Sequence, residues 1–184
     1  MKLNNTYYIL RHGEALSNEK NINSSWPEQF RNPLTSNGTH QIKRAARQLQ
    51  QMKIDMIFSY DLLRAKETAE IVGKAVGVKP EYDTRLREID FGLLNGKPIE
   101  ELLYLSFAKK IKEKKSETYQ NVLRRVKKCF NEIDKKYKDK HILVVSHQCP
   151  LWVLETAVHG LTLKEALKIP KRKRIQRGEL RKLA

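Results

Sequence analysis

The chain has 184 residues, of which 40% are hydrophobic and 32% charged, as is typical of a folded globular protein. This length predicts a single domain over residues 1–184 that buries roughly 70% of the surface of its unfolded chain, and it contains no apolar stretch near the roughly 20 residues of a transmembrane helix. The net charge of +16, from 37 Lys+Arg against 21 Asp+Glu, favours anionic partners such as phosphorylated metabolites, nucleic acid or anionic lipid.

The first half of the chain predicts two strands, each followed by a helix. The apolar runs TYYIL, at residues 6–10, and MIFS, at Met56–Ser59, predict strands. Between them, apolar residues recur at helical spacing from Ile42 to Leu49 and predict an amphipathic helix. After the second strand we expect a helix that is capped by Asp61 and ends at Gly77.

The second half predicts a long helix, a buried strand and a further helix. The long helix is expected from about Ser116 to Tyr137. HILVVS, at His141–Ser146, is a nearly continuous β-branched run, which is typical of a strand buried on both faces of a parallel sheet. Pro150 suits a first helical turn and predicts that a helix follows it. Because strands alternate with helices, the fold class is an α/β, three-layer α/β/α sandwich with a mostly parallel central sheet.

Positively charged and imidazole side chains follow all three predicted strands. Arg11 and His12 follow the first strand, Arg64 lies in the first turn of the helix after the second, and His147 follows the third. Ligands of open α/β sheets bind beyond the carboxyl ends of the strands. We therefore expect two arginines and two histidines to converge at one edge of the sheet.

Such a cluster suits phosphoryl transfer. Fixed cations stabilise the charge that spreads over phosphoryl oxygens, and a neutral imidazole is nucleophilic near pH 7 and can form a phosphohistidine. The leaving alkoxide needs a proton. Glu88, in the loop 84–96 that contains Gly92 and Gly96, is the natural donor, and Asp90 is the competing carboxylate. The sequence has no aspartate cluster for magnesium and no Gly-rich Lys-Ser/Thr phosphate loop, so we expect neither a metal nor a cofactor.

Four blocks of this sequence resemble, in order, the signature blocks of the histidine phosphatase superfamily, which includes cofactor-dependent phosphoglycerate mutases. The blocks are RHGEALSN, SYDLLRAKETAEIV, LREIDFGLLNG and VVSHQCPLW, and the resemblance spans roughly residues 7–158. A fifth segment, NPLTSNG at residues 32–38, is similar to the block that opens the family's first helix. The resemblance implies a phosphoglycerate mutase-like fold and a metal-independent phosphatase that forms a phosphohistidine.

The resemblance also implies residue roles. His12 would accept the phosphoryl group, and Arg11, Arg64 and His147 would bind its oxygens. Glu88 would act first as general acid and then as base for the attacking water.

Three further residues are candidate substrate contacts. Asn18 matches another phosphate-pocket position of the family, and Ser24 falls near a second such position in the loosely similar segment NINSSW. Gln148 stands where the family usually has glycine, and it either offers its backbone N–H to phosphate or narrows the pocket with its side chain.

Two alternatives to a phosphatase stay open, a phosphoglycerate mutase and a catalytically idle basic binding module. Family mutases carry a longer insertion where this chain has a short lysine-rich stretch, Lys97–Ser116, and this favours hydrolysis. The basic run Lys168–Arg177 lacks the interleaved aromatic residues of a single-strand stacking platform, so it predicts a solvated edge or pocket rim rather than a nucleic-acid site. The expected partner is an anionic phosphorylated small molecule, not a membrane.

The cysteine pattern and the N-terminus predict the compartment. Cys129 and Cys149 have no spacing typical of a zinc site or a disulfide framework. The segment MKLNNTYYIL shows no signal-peptide cleavage site. We therefore expect a protein of the reducing cytoplasm.

Overall fold

A computed structural model describes residues 3–103 and 115–183. They contain a five-stranded sheet in the order β3–β2–β4–β1–β5, in which β5 runs antiparallel to β1 and the other pairs are parallel. The strands are β1 (Thr6–Arg11), β2 (Met56–Ser59), β3 (Pro80–Tyr82), β4 (His141–Ser146) and β5 (Leu180–Lys182). The predicted α/β fold with a mostly parallel sheet is confirmed.

Helices cover both faces of the sheet. They are α1 (Leu16–Glu19), α2 (Ser36–Gln50), α3 (Leu63–Val76), α4 (Ile99–Leu103), α5 (Tyr119–Lys136), α6 (Gln148–Val158) and α7 (Leu163–Ala166), with single 3₁₀ turns at Thr84–Leu86, Gly92–Leu94 and Lys171–Lys173. Most of the lysine-rich stretch 97–116, from which hydrolysis was predicted, lies outside the described residues.

The pleat of the two central strands divides the core into two clusters. Leu10, Leu143 and Val145 pack with α2 and α3, whereas Ile9 and Val144 pack with α5 and α6. All five side chains are buried, because successive residues of a strand point to opposite faces and both faces are covered. The prediction that HILVVS is buried on both faces is therefore confirmed.

The predicted N-terminal cap of α3 is wrong. Leu62, not Asp61, occupies the cap position, and it makes no side-chain hydrogen bond to the helix. The first N–H of the helix, at Leu63, instead hydrogen-bonds the carboxylate of Glu28 from a distant loop. The predicted end is correct, since Gly77 has a φ of 74°, a left-handed conformation that glycine adopts without strain.

The two helices predicted in the second half of the chain differ from the structure at their ends. α5 begins at Tyr119 rather than near Ser116, because the Thr118 hydroxyl accepts the Asn121 N–H at 3.0 Å. Ser116 lies before the helix, and its hydroxyl donates to the Phe91 carbonyl at 2.8 Å. α6 begins two residues before Pro150, which occupies the first turn as its missing N–H allows.

Neither a membrane-spanning helix nor a disulfide is found in the described residues. Within residues 3–103 and 115–183, none of the helices is both long and apolar enough to cross a membrane. Cys129 and Cys149 are buried free thiols, and burial raises the pKa of Cys129 to about 12.

Candidate active site

The two central strands place His12 and His147 side by side. β1 and β4 are parallel neighbours in which Arg11 pairs with Ser146, and the His12 N–H donates to the Ser146 carbonyl at 3.0 Å. The residue after each strand is therefore a histidine, and the two ring centroids lie 4.9 Å apart at an interplanar angle of 63°.

A cavity of about 230 Å³ opens at this edge of the sheet. Seven of the eight predicted site residues line it: Arg11, His12, Asn18, Ser24, Arg64, Glu88 and Gln148. The eighth, His147, is fully buried against the ring of His12. The structure thus brings these eight predicted site residues together.

The His12 imidazole is held in one tautomer. Its Nδ1 lies 2.7 Å from the Gly13 carbonyl oxygen, which can only accept, so Nδ1 carries the proton and Nε2 keeps its lone pair. Burial, and then the positive charges of Arg64 and Arg11, hold the pKa of His12 well below its usual value. The imidazole is therefore neutral at pH 7.

Gly13 is required because its loop closely approaches α2. A Cβ atom on Gly13 would lie 2.5 Å from the carbonyl oxygen of Gly38, in the first turn of α2. Because that contact is with backbone, a side chain would displace the loop that supplies the acceptor for His12.

Arg11 and His147 have polar groups that the described residues leave unpartnered. Both ring nitrogens of His147 and Nε of Arg11 have no hydrogen bond there, whereas Nη1 of Arg11 donates to the Ile175 carbonyl at 3.3 Å. Burial lowers the pKa of Arg11 to about 10 and that of His147 well below its usual value. Buried donors without partners are costly, and an anion bound in this cavity would accept from the Arg11 Nε–H and from the one N–H of a neutral His147 ring.

Arg64 is bound by a carboxylate that the sequence did not reveal. Its side chain is buried in the first turn of α3, and Nη1 lies 2.8 Å from Oε1 of Glu28. Nη1 also donates to the Ser24 hydroxyl at 3.3 Å, and Nη2 donates to the Ser24 carbonyl at 3.0 Å. Glu28 belongs to a loop without periodic pattern, so no signal in the sequence pointed to it.

Asn32 connects the loops that carry the candidate substrate contacts. Its amide nitrogen donates to the hydroxyls of Ser17 at 2.9 Å and Ser24 at 3.1 Å, and its oxygen accepts the Ser17 N–H at 2.8 Å. Asn18 is fixed separately, because its side-chain oxygen accepts the Ala15 N–H at 3.0 Å. Asn32 lies in the recognised segment NPLTSNG, but the sequence analysis assigned it no role.

The C-terminal segment closes one side of the cavity. The Ile175 carbonyl that binds Arg11 also lies 3.4 Å from the donor Nε2 of Gln148. Lys171 lines the cavity, as predicted for a pocket rim. Arg174, from the same basic run, is not solvated as predicted, since its buried guanidinium lies 3.6 Å from the ring centroid of Trp152.

Glu88 is the carboxylate at the cavity. Its Oε1 accepts the Ile89 N–H at 3.0 Å, and burial raises its pKa despite the nearby charges of Arg11 and Arg64. Asp90 is exposed, does not line this cavity, and accepts the Gly92 N–H at 2.8 Å. A carboxyl group with a raised pKa suits general acid catalysis, so the geometry favours Glu88 over Asp90.

Arg125 of α5 holds the loop that carries Glu88. Its Nη1 donates to the carbonyls of Arg85 and Arg87, both at 2.7 Å, and its Nη2 donates to the Glu88 carbonyl at 3.0 Å. The guanidinium also pairs with Glu117 at 2.9 Å. Arg125 was not singled out in the sequence, because all of these partners lie on other elements.

Replacing Arg125 with methionine is expected to destabilise the protein by about 2 kcal/mol, between the values for exposed and buried ion pairs. The change removes one partner from four contacts while keeping the length of the side chain. Urea unfolding measures the difference. Arg124→Met is the matched control, since Arg124 is exposed on the same helix. Equal stability of the two variants would contradict the assigned role of Arg125.

Within the described part of the chain, no group of three or more His, Cys, Asp or Glu residues is arranged to hold a metal ion.

Comparisons with known proteins agree with this geometry. The family description of the histidine phosphatase superfamily, branch 1, matches residues 7–174. The probable phosphoglycerate mutase GpmB of Salmonella choleraesuis is 38% identical over 96 residues, which are 52% of this chain and 43% of that protein. The matched region therefore covers less than half of this curated relative.

Two solved structures resemble the whole fold. Bacillus stearothermophilus YhfR has a TM-score of 0.80 and 26% identity, over 90% of this chain and 85% of its own. A mycobacterial glucosyl-3-phosphoglycerate phosphatase in complex with VO3 has a TM-score of 0.82 and 22% identity, over 95% of this chain and 90% of its own; it shows the fold alone. Since the family match covers most of its length, the chain belongs to the histidine phosphatase superfamily.

Proposed function

We propose that this protein is a metal-independent phosphatase that hydrolyses a small phosphorylated metabolite through a phosphohistidine intermediate. The observation that carries the proposal is the His12 imidazole, whose Nδ1 is fixed by the Gly13 carbonyl and whose ring lies in a cavity with two arginines. A buried neutral imidazole with a free lone pair beside guanidinium groups suits attack on a phosphoryl group.

The first step transfers the phosphoryl group to the enzyme. Nε2 of His12 forms a bond to phosphorus while the bond from phosphorus to the leaving oxygen breaks. Glu88, whose pKa burial raises, gives a proton to that oxygen, so the alcohol leaves neutral. Arg11, Arg64 and His147 donate N–H groups to the remaining phosphoryl oxygens.

The second step returns the enzyme to its starting state. The Glu88 carboxylate takes a proton from water while the water oxygen forms a bond to phosphorus. The bond from phosphorus to Nε2 of His12 breaks, which leaves a neutral imidazole, a protonated Glu88 and free phosphate. Over both steps, one ester and one water give one alcohol and one phosphate.

Two other functions make different use of the same cavity. In a phosphoglycerate mutase the phosphohistidine transfers its phosphoryl group to a second hydroxyl instead of water, and the similarity to GpmB favours this alternative. A binding module would need the cations but neither His12 nor Glu88. The presence of a nucleophile and an acid in one cavity therefore supports an enzyme.

With 3-phosphoglycerate and its bisphosphate primer, in EDTA, we expect inorganic phosphate to be released faster than 2-phosphoglycerate appears. The reason is that the chain segment between the LLNG loop and α5 is short. A short segment predicts an open cavity, in which water can reach the phosphohistidine. Phosphorus-31 NMR measures both products in one sample. His12→Ala, prepared in the same way, excludes a contaminating phosphatase. Rapid formation of 2-phosphoglycerate without phosphate release would instead assign a mutase.

A further inference from the structure

Glu28 places a negative charge directly against a guanidinium of the candidate phosphate cavity. Its Oε1 lies 2.8 Å from Nη1 of Arg64, and the two side chains are only 18% and 3% exposed. Burial raises the pKa of Glu28, whereas the charge of Arg64 and hydrogen bonds from Leu63 and Asn32 lower it. The 2.8 Å charge-assisted contact with Arg64 favours the ionised form of this carboxylate.

The ion pair leaves Arg64 able to bind phosphate. A guanidinium has five N–H donors, and the contacts with Glu28 and with the hydroxyl and carbonyl of Ser24 use at most three of them. Donors therefore remain for phosphoryl oxygens while Glu28 stays in place. The carboxylate and the Ser24 carbonyl together fix the plane of the guanidinium.

The pair also changes the charge of the cavity. Arg11 and Arg64 both have a pKa lowered by burial, which shows that their positive charges are poorly solvated. Such charges bind a phosphate dianion strongly, and hydrolysis produces that dianion at every turnover. Glu88, the proposed acid and base, gains and loses a proton in each turnover, whereas Glu28 takes no part in these transfers and pairs directly with Arg64.

We propose that Glu28 is a positioning residue that holds Arg64 in place and offsets its charge, so that inorganic phosphate dissociates after hydrolysis. The inference rests on the proposed function in one respect, namely that phosphate is the product that must leave. Glu28 itself does not touch the reacting atoms.

The test is the affinity for inorganic phosphate, measured by isothermal titration calorimetry on the wild type and Glu28→Gln. Glutamine keeps the size and the acceptor oxygen but removes the charge. A unit charge about 6 Å from a phosphate dianion, at an effective dielectric constant of roughly 20 to 80, corresponds to a change in affinity of ~10- to 10⁴-fold. We expect Glu28→Gln to bind phosphate about tenfold tighter, an order-of-magnitude value within this range. A residue with only a structural role would weaken binding or leave it unchanged.

Three further variants separate charge from position. Glu28→Asp keeps the charge and should bind phosphate like the wild type. Glu28→Ala also loses the acceptor, so Arg64 is no longer fixed and single-turnover phosphorylation of His12 should be slower than in Glu28→Gln. Glu155→Gln is the matched control, because Glu155 pairs with Arg181 at 3.1 Å, is 24% exposed and lies outside this cavity.

The outcomes distinguish this inference from the proposed function. Suppose that the wild type hydrolyses phosphate esters and that Glu28→Gln folds but binds phosphate no tighter than the wild type. This result overturns the charge role of Glu28 and leaves the proposed phosphatase function standing. A wild type that binds phosphate but hydrolyses no ester, with a tighter-binding Glu28→Gln variant, supports the charge role of Glu28 and contradicts the phosphatase. Absence of phosphate binding in every protein contradicts both.

Discussion

Replacing His12 with alanine is expected to abolish the phosphoenzyme and to lower turnover by at least about 10⁴-fold, as the loss of a catalytic nucleophile does in other enzymes. Nε2 of His12 is the nucleophile in the proposed first step, and alanine offers no atom in its place. The enzyme is quenched in alkaline denaturant during turnover, and its intact mass shows the phosphoryl adduct. Brief acid treatment should remove the adduct, because phosphohistidine is acid-labile.

Two other histidine variants complete this experiment. His40→Ala should form the adduct like the wild type, since His40 is exposed on α2. His147→Ala tests the neighbouring ring, whose centroid lies 4.9 Å from that of His12. An adduct that persists in His12→Ala and disappears in His147→Ala would move the nucleophile to His147.

Replacing Glu88 with glutamine is expected to slow phosphorylation of the enzyme by an alkyl phosphate by about 10²- to 10⁴-fold, the usual effect of losing a general acid. With p-nitrophenyl phosphate the effect should be far smaller, because p-nitrophenolate is stable without a proton. Single-turnover measurements are needed, since Glu88 also serves as the base for water in the second step. Equal slowing of both substrates would contradict an acid role for Glu88.

The pH dependence of kcat/KM for the alkyl phosphate tests the same role. Phosphorylation needs neutral His12, so the rate rises with pH through the lowered pKa of His12. It also needs protonated Glu88, so the rate falls as pH rises through the raised pKa of Glu88. Glutamine has no proton to lose, and the alkaline limb due to Glu88 should be absent in Glu88→Gln. Asp90→Asn is the matched control, and loss of the limb there would assign the acid to Asp90.

The parts of the fold that the sequence predicted are those with a local pattern. β1, β2 and β4 are apolar runs, and α2 repeats its apolar residues at helical spacing. β3 and β5 were not predicted, because each has only three residues and owes its extended conformation to pairing with a neighbour. The cap of α3 was mistaken for a related reason: Glu28, which binds the first N–H of that helix, lies far away in sequence.

The residues of the candidate site also differ in whether the sequence could predict their position. Arg11, His12 and His147 could be predicted to meet because they follow strands, whose order in a parallel sheet sets their position. Glu28 and Arg125 could not, because each acts through contacts with residues far away in sequence. Sequence thus indicated the groups that would touch a phosphate, and the structure adds those that hold these groups in place.

Because β5 pairs with β1, some contacts of the candidate site can form only after β5 has been synthesised. Gly178 donates its N–H to the Arg11 carbonyl at 3.1 Å, and Ile175 binds the Arg11 guanidinium. β1 leaves the ribosome before these partners, which lie far later in the sequence. A nascent chain that lacks the segment 175–182 therefore holds Arg11 and His12 on a strand with one open edge. The contacts that Arg11 makes with this segment therefore form only after it has emerged.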